Sequence, residues 1–273
     1  MFRSDLECYH YCDASMPEVD FHQHPFYEIL FFLSGSVSYI IEGRTYQLRP
    51  GDILLIDSQD IHRPEVQSGK TYERYVIWVA PQVIDQIRAM GTDLAACFQD
   101  AKLRRHKLIR PDSASLAKLK SICEKMLRAR DEEAFGRSTL VQTYLVEFLI
   151  YLNRAYFATP ETIRQDITEN ALINEAASYI NDHLAEDLSL DRISGALYVS
   201  KSHLSRSFKE FTGLTLYQYI IKKRLMAARN MLLAGRPVME ACMKCGFNDY
   251  SNFLKAFKRE FGKSPKEFMS RES

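Results

Sequence analysis

"GFNDYSNFLKAFKREFGKSPKEF", residues 246–268, reads as a glycine turn, a helix backed by phenylalanines and a second glycine that ends it. At about 100° per residue, Phe253, Ala256 and Phe257 share one side of that helix. Ser251, Leu254, Lys255 and Lys258 share the other. The stretch has a partner upstream. "DRISGALYVSKSHLSRSFKEFTG" (191–213) aligns with "MEACMKCGFNDYSNFLKAFKREFG" (239–262), so that Ile193 matches Ala241 and Val199 matches Phe247. One extra residue in the second turn then shifts the register. Beyond it Ser202 matches Ser251, Leu204 matches Phe253, Arg206 matches Lys255, Phe208 matches Phe257, Lys209 matches Lys258 and Gly213 matches Gly262. Each copy is a short helix, a tight turn and a second helix, and an internal repeat of this kind decides the fold.

In the first copy Leu204, Phe208 and Phe211 form the apolar back, while Ser202, Ser205, Arg206 and Lys209 form the front. One such helix is an ordinary amphipathic helix. Two with the same short-polar and cationic front suit the major groove, where small side chains allow close approach and Arg or Lys reach guanine edges or phosphates. The spacer "TLYQYIIKKRLMAARNMLLAG" reads as a single helix, capped by Thr215 and stopped by Gly235 and Pro237. Residues 216–234 would span roughly 28 Å at the α-helical rise, near the ~34 Å between successive major grooves. Lys222, Lys223, Arg224, Lys244, Lys263 and Lys266, together with Lys201, Lys209 and Lys258, are expected on phosphates, which position a protein without specifying sequence. Charge agrees: residues 197–273 hold 15 Lys/Arg against 6 Asp/Glu, and the rest of the chain 21 against 29.

These residues closely resemble the C-terminal signature of the AraC/XylS family of bacterial transcription regulators: a glycine-phenylalanine pair, a helix with paired aromatics and lysine, then glycine-x-serine-proline. The resemblance implies a seven-helix module that binds asymmetric promoter sites in double-stranded DNA. It places base contacts on Ser202, Ser205 and Arg206 and on Tyr250, Ser251, Leu254 and Lys255. It also implies activation through RNA polymerase, with repression as the alternative. Ala241-Cys242 depart from the family's isoleucine-alanine on the scaffold helix, a change in packing. "CMKC" (242–245) lacks the second cysteine pair of a structural zinc site and is read as structural.

Upstream, residues 25–80 read as short strands with turns at Ser34-Gly35, Glu42-Gly43 and Pro50-Gly51, hence a sandwich or small barrel. "HQHPFYEILFFLSG" (22–35) places His22, His24 and Glu28 in an HxHxxxE pattern, and His62 follows a proline-glycine-aspartate turn. This resembles the two cupin motifs, whose enzymes hold a divalent metal on three histidines and a glutamate. The second motif is poor, because His62 follows Asp60-Ile61 without the usual neighbouring glycine. The residues either hold a metal or line the pocket of a small-molecule effector. The expected effector site is His22, His24, Tyr27, Glu28, His62 and Trp78, a set of imidazoles, a carboxylate and rings that suits a sugar. No nucleophile or paired-carboxylate arrangement points to catalysis.

Between the two regions, Leu116, Leu119, Ile122 and Met126 form one helical stripe and Leu145, Leu149, Leu152 and Tyr156 another. They pack either on their own domain or across a homodimer. "ATPETIRQDITEN" (158–170) is polar and proline-marked. The expected organisation is α+β and multidomain: a cupin-like β-barrel with a helical dimerisation segment over 1–158, a linker over 159–169, and an all-α double helix-turn-helix domain over 170–273. Six cysteines without a disulfide framework, no signal peptide and no membrane span point to the cytoplasm. The expected protein is a ligand-responsive transcription regulator without a cofactor. The rivals are a cupin metalloenzyme and a regulator with no effector.

Overall fold

Strand-forming runs and turn residues set the N-terminal architecture. The strands are β1 (Leu6–Asp13), β2 (Tyr27–Ser34), β3 (Val37–Ile41), β4 (Arg44–Gln47), β5 (Ile53–Ile56), β6 (His62–Val66), β7 (Tyr72–Val79), β8 (Leu108–Ile109) and β9 (Ile167–Glu169). The computed structural model describes residues 5–58, 60–88, 91–159 and 166–269. Glu42 (φ 49°) and Gly43 (φ 82°) close the β3–β4 hairpin. Two central residues with positive φ are what a two-residue type I′ turn requires. At Gly35 (φ 132°) a Cβ would stand 2.4 Å from the Thr71 carbonyl oxygen, so only glycine fits that corner.

The strands form a five-stranded sheet, β1-β7-β2-β5-β8, and a four-stranded sheet, β6-β3-β4-β9. Side chains alternate across each strand. Leu30, Phe32, Leu54, Ile56 and Val76 of the larger sheet meet Val37, Tyr39, Ile41 and Tyr46 of the smaller one in a dry core. The opposite face of the larger sheet carries Ile29, Phe31, Ile53, Leu55 and Ile77, and helices cover it. These are α1 (Pro81–Arg88), α2 (Ala96–Arg104), α3 (Ser113–Asp131) and α4 (Arg137–Ala158). Leu119, Ile122, Met126, Leu145, Leu149, Leu152 and Tyr156 are all buried there. Leu116, the remaining member of the first stripe, is half-buried against the same cluster, so both expected stripes pack on their own domain, each fully buried side chain contributing roughly 1.5–3 kcal/mol.

The chain separates into two units, Met1–Thr168 and Glu169–Ser273. Of the expected linker, residues 160–165 lie outside the described residues. Thr159 caps α4 and donates its hydroxyl to the Ala155 carbonyl, while residues 167–169 are not loop but strand β9. Asp166 accepts from Arg49 at 2.7 Å and from Arg110 at 2.6 Å, and Arg110 also forks onto buried Asp52.

The C-terminal unit is helical apart from the end of β9: α5 (Ala171–Asp182), α6 (Leu190–Ala196), α7 (Lys201–Thr212), α8 (Leu216–Leu233), α9 (Val238–Lys244), α10 (Tyr250–Phe261) and α11 (Pro265–Met269). The two copies have equal helices, seven residues for α6 and α9 and twelve for α7 and α10. Ser200 and Asp249 cap α7 and α10 by accepting the backbone N–H of His203 and Asn252, and Gly213 and Gly262 end both in the left-handed conformation. Thr215 and Gln218 form a capping box at the start of the strut α8, whose 18 residues span about 27 Å.

Candidate DNA-reading helices and effector site

Amphipathicity fixes which faces of α7 and α10 meet solvent. Leu204 and Phe208 are fully buried, as are Phe253 and Phe257. That leaves Ser202, Ser205, Arg206 and Lys209 exposed on α7, and Tyr250, Ser251, Lys255 and Lys258 exposed on α10, with Leu254 half-buried. His203 and Asn252 occupy one further matched, exposed position. The sequence reading missed them because neither is a cation nor a small hydroxyl residue.

The expected phosphate contacts divide. Lys263 and Lys266 are exposed. Lys201 and Lys244 are exposed but ion-paired, to Asp191 and to Glu240 respectively. Lys222 pairs with Glu260 at 2.8 Å. Lys223 must be corrected: it is 5% exposed, with its ammonium 5.7 Å from the centre of the Tyr219 ring. Arg224 must be corrected too, since its guanidinium donates to the backbone carbonyls of Leu184, at 3.0 Å, and Glu186. Lys223 is thus turned inward, and half-buried Arg224 is committed to backbone carbonyls.

The scaffold cysteines are structural in placement. The Cys242 thiol lies 3.8 Å from the Phe247 carbonyl and the Cys245 thiol 3.8 Å from the Met231 sulfur, with burial raising Cys245 to about 11.

In the N-terminal unit, a backbone bridge builds the second site. His22 and His62 exchange both main-chain hydrogen bonds, 3.0 and 2.9 Å, joining the segment before β2 to the start of β6. Glu28 lies on the inter-sheet face of β2 and pairs across the sheet with Trp78. One Glu28 oxygen accepts from the Trp78 indole N–H at 2.7 Å and stands 3.0 Å from His24 Nε2. The His22–His62 and His24–His62 ring centres are 4.4 and 4.8 Å apart. Phe26 stacks flat on His24 at 4.0 Å. Five of the six expected effector residues are thus brought together. Tyr27 is not: one step along β2 from Glu28, it points to the helical side and meets Phe98 on α2.

All three imidazoles are oriented by the backbone. Nδ1 of His22, His24 and His62 stands 3.0 Å from the carbonyl oxygens of Asp20, Phe26 and Asp60 respectively, so each Nδ1 donates. Nε2 of His62 is buried and has no hydrogen-bond partner among the described residues. Burial, the largest influence on His62, holds it down to about 3 and keeps the ring neutral. Burial would raise Glu28, but the contacts from His24 and Trp78 outweigh it and bring the carboxyl to about 2. One ligand atom from each of His24, Glu28 and His62 lies within 4.8 Å of the others, which suits a cation or a polar small molecule. Among the described residues, no helix is long and apolar enough to cross a membrane.

Comparison with known proteins gives each unit a family match. Residues 5–149 match the AraC-like ligand binding domain, and residues 193–271 match a helix-turn-helix domain. The HTH-type transcriptional activator RhaS of Salmonella arizonae is 27% identical over 256 residues, covering 93% of this chain and 87% of that protein. Its counterpart in Salmonella typhimurium is 26% identical over the same length. Among solved structures, ToxT from Vibrio cholerae aligns over 98% of this chain and 97% of its own at 12% identity, with a TM-score of 0.42. The C-terminal domain of AraT from Geobacillus stearothermophilus, 29% identical, aligns with 37% of this chain and 86% of its own, with a TM-score of 0.37. With the ligand-binding match alone spanning more than half of the chain and a helix-turn-helix match following it, this protein belongs to the AraC family of DNA-binding transcription regulators.

Proposed function

We propose that this regulator reads promoter DNA with α7 and α10 in successive major grooves, and that a small molecule bound by its N-terminal unit shifts the population competent to do so. The observation that carries the reading is the matched exposure of Ser202, Arg206 and Lys209 with Ser251, Lys255 and Lys258 on two helices of equal length. Base contacts fall on Ser202, Ser205, Arg206, Tyr250, Ser251, Leu254 and Lys255, and phosphate contacts on Lys209, Lys258, Lys263 and Lys266. The working division assigns sensing to the unit up to Thr168 and DNA binding to the unit from Glu169.

The effector is a sugar in this reading. Imidazoles and the Glu28 carboxylate supply partners for hydroxyl groups, and Trp78 with Phe26 supplies ring faces for C–H surfaces. The ligand acts through its differential affinity for two states of the protein. Activation through RNA polymerase, supported by the similarity to proteins named transcriptional activators, and a homodimer using the outward faces of α3 and α4 complete the proposal.

The test is selection of duplexes from a random pool by the full-length protein. We expect enrichment of an asymmetric site with two contact patches about one helical turn apart. Arg206→Ala should relax preference in one patch and Lys255→Ala in the other, each by roughly 1–3 kcal/mol of discrimination. Enrichment no better than random would overturn the reading. For the effector, a thermal-shift panel of monosaccharides should raise Tm with at least one member. A flat panel would remove the sugar.

A further inference from the structure

The tautomers at the head of β2 and β6 are already decided. A carbonyl oxygen only accepts, so the contacts to Asp20, Phe26 and Asp60 place a proton on Nδ1 of His22, His24 and His62. A neutral imidazole then has only a lone pair at Nε2. Yet His24 Nε2 stands 3.0 Å from a Glu28 oxygen, another acceptor, and His62 Nε2, in a residue only 1% exposed, is buried without a partner among the described residues. Two lone pairs and a carboxylate, all electron-pair donors, thus converge. A second proton on His24 would satisfy its contact with Glu28 but would leave His62 Nε2 bare. A single cation would satisfy His24, His62 and Glu28 together.

The geometry points to a divalent transition-metal site on His24 Nε2, His62 Nε2 and a Glu28 carboxylate oxygen, with the His22 ring centre 4.4 Å from that of His62. The ligand atoms of His24, Glu28 and His62 already lie within 4.8 Å of one another. A set of imidazoles and one carboxylate favours zinc, nickel or iron(II) over magnesium or calcium, which prefer all-oxygen shells. The outer partners also match the requirement. Imidazoles that bind metals are held by a hydrogen bond from the other ring nitrogen, and here three backbone carbonyls provide it, while the Trp78 N–H steadies Glu28. The site goes beyond the sugar reading of the same barrel, which needs hydrogen-bonding groups but not lone pairs. The ion's remaining positions would take water or the oxygens of an effector.

The experiment uses the full-length protein, stripped with a chelator and titrated by calorimetry with Zn²⁺, Ni²⁺ and, as a control, Mg²⁺. We expect one equivalent of Zn²⁺ and of Ni²⁺ and no Mg²⁺ uptake. His62→Gln and Glu28→Gln should each weaken zinc binding on the order of 100-fold. His10→Gln, on an imidazole paired instead with Glu73, should leave it unchanged. Because a variant in a tight core can misfold, a second readout uses the unaltered chain. Long-range imidazole ¹⁵N spectra should show metal-induced shifts at Nε2 of His24 and His62. A Co²⁺ derivative should show ligand-field bands without sulfur charge transfer. Absence of stoichiometric uptake, a thiolate band, unshifted imidazoles, or uptake unaltered in both variants would overturn the site. Each of these results would leave the DNA selection and the monosaccharide panel unaffected, so this inference and the regulator reading fail separately.

Discussion

The two helix-turn-helix copies present nearly the same face to solvent and stand on different foundations. Behind α7, Phe208 meets the Tyr219 ring edge-on at 5.1 Å. Behind α10, Phe253 and Phe257 belong to a cluster with Phe247, Phe261 and Phe268, whose successive ring centres lie 4.5–5.8 Å apart. The turns differ as well. The first uses Tyr198 at φ 55°, 96% exposed, while the second uses Gly246 at φ 81°. A Cβ on Gly246 would stand 2.6 Å from the Leu184 carbonyl oxygen and 2.9 Å from the Arg224 guanidinium. The two copies share Ser202/Ser251, Arg206/Lys255 and Lys209/Lys258 on the front and Phe208/Phe257 on the back, and differ in what packs behind that phenylalanine and in the turn.

The largest effect that could break this contrast is in the cores. Phe257→Ala should cost about 5 kcal/mol and Phe208→Ala about 3 kcal/mol, the two ends of the range for buried phenylalanine. Denaturant unfolding of both variants measures the difference, and equal losses would mean the aromatic cluster adds nothing to the second copy. Next come the turns. Gly246→Ala should destabilise by about 2 kcal/mol through left-handed strain and backbone collision, whereas Tyr198→Gly should change stability by less than about 1 kcal/mol. A smaller loss at Gly246 than at Tyr198 would reverse the assignment. The finest comparison is electrostatic. Lys209→Ala and Lys258→Ala should each flatten the dependence of log affinity on log salt by about 0.9. Lys223→Ala should lower Tm and leave that slope unaltered, since its ammonium is buried.

The second copy's helix, its partner and both glycine stops were legible because each signal is local: a cap, a 3.6-residue period, a residue that tolerates positive φ. The CxxC reading also followed from local spacing. The roles of Lys223 and Arg224 were not legible, because buried and half-buried positions recur around most of α8 and three consecutive cations carry no signal of which one turns inward. Tyr27 could have been separated from Glu28 by the period of two, since adjacent strand residues point to opposite faces. In the effector site, the HxHxxxE pattern announced His24 and Glu28. The arrival of His62 depended on a bridge between residues forty apart, which no local pattern encodes. The same holds for β1, which pairs with β7 along its whole length, and for β9, which completes an edge formed by residues far upstream.

Arg224 has a consequence for how the DNA-binding half comes apart. Its side chain leaves the strut, holds the carbonyls of the α5–α6 connection and closes against the turn between α9 and α10. Loosening either motif exposes this one guanidinium and the groups it satisfies. The pair should therefore melt as one cooperative block rather than as two beads on a rod, and hydrogen exchange in both motifs should report a common opening free energy.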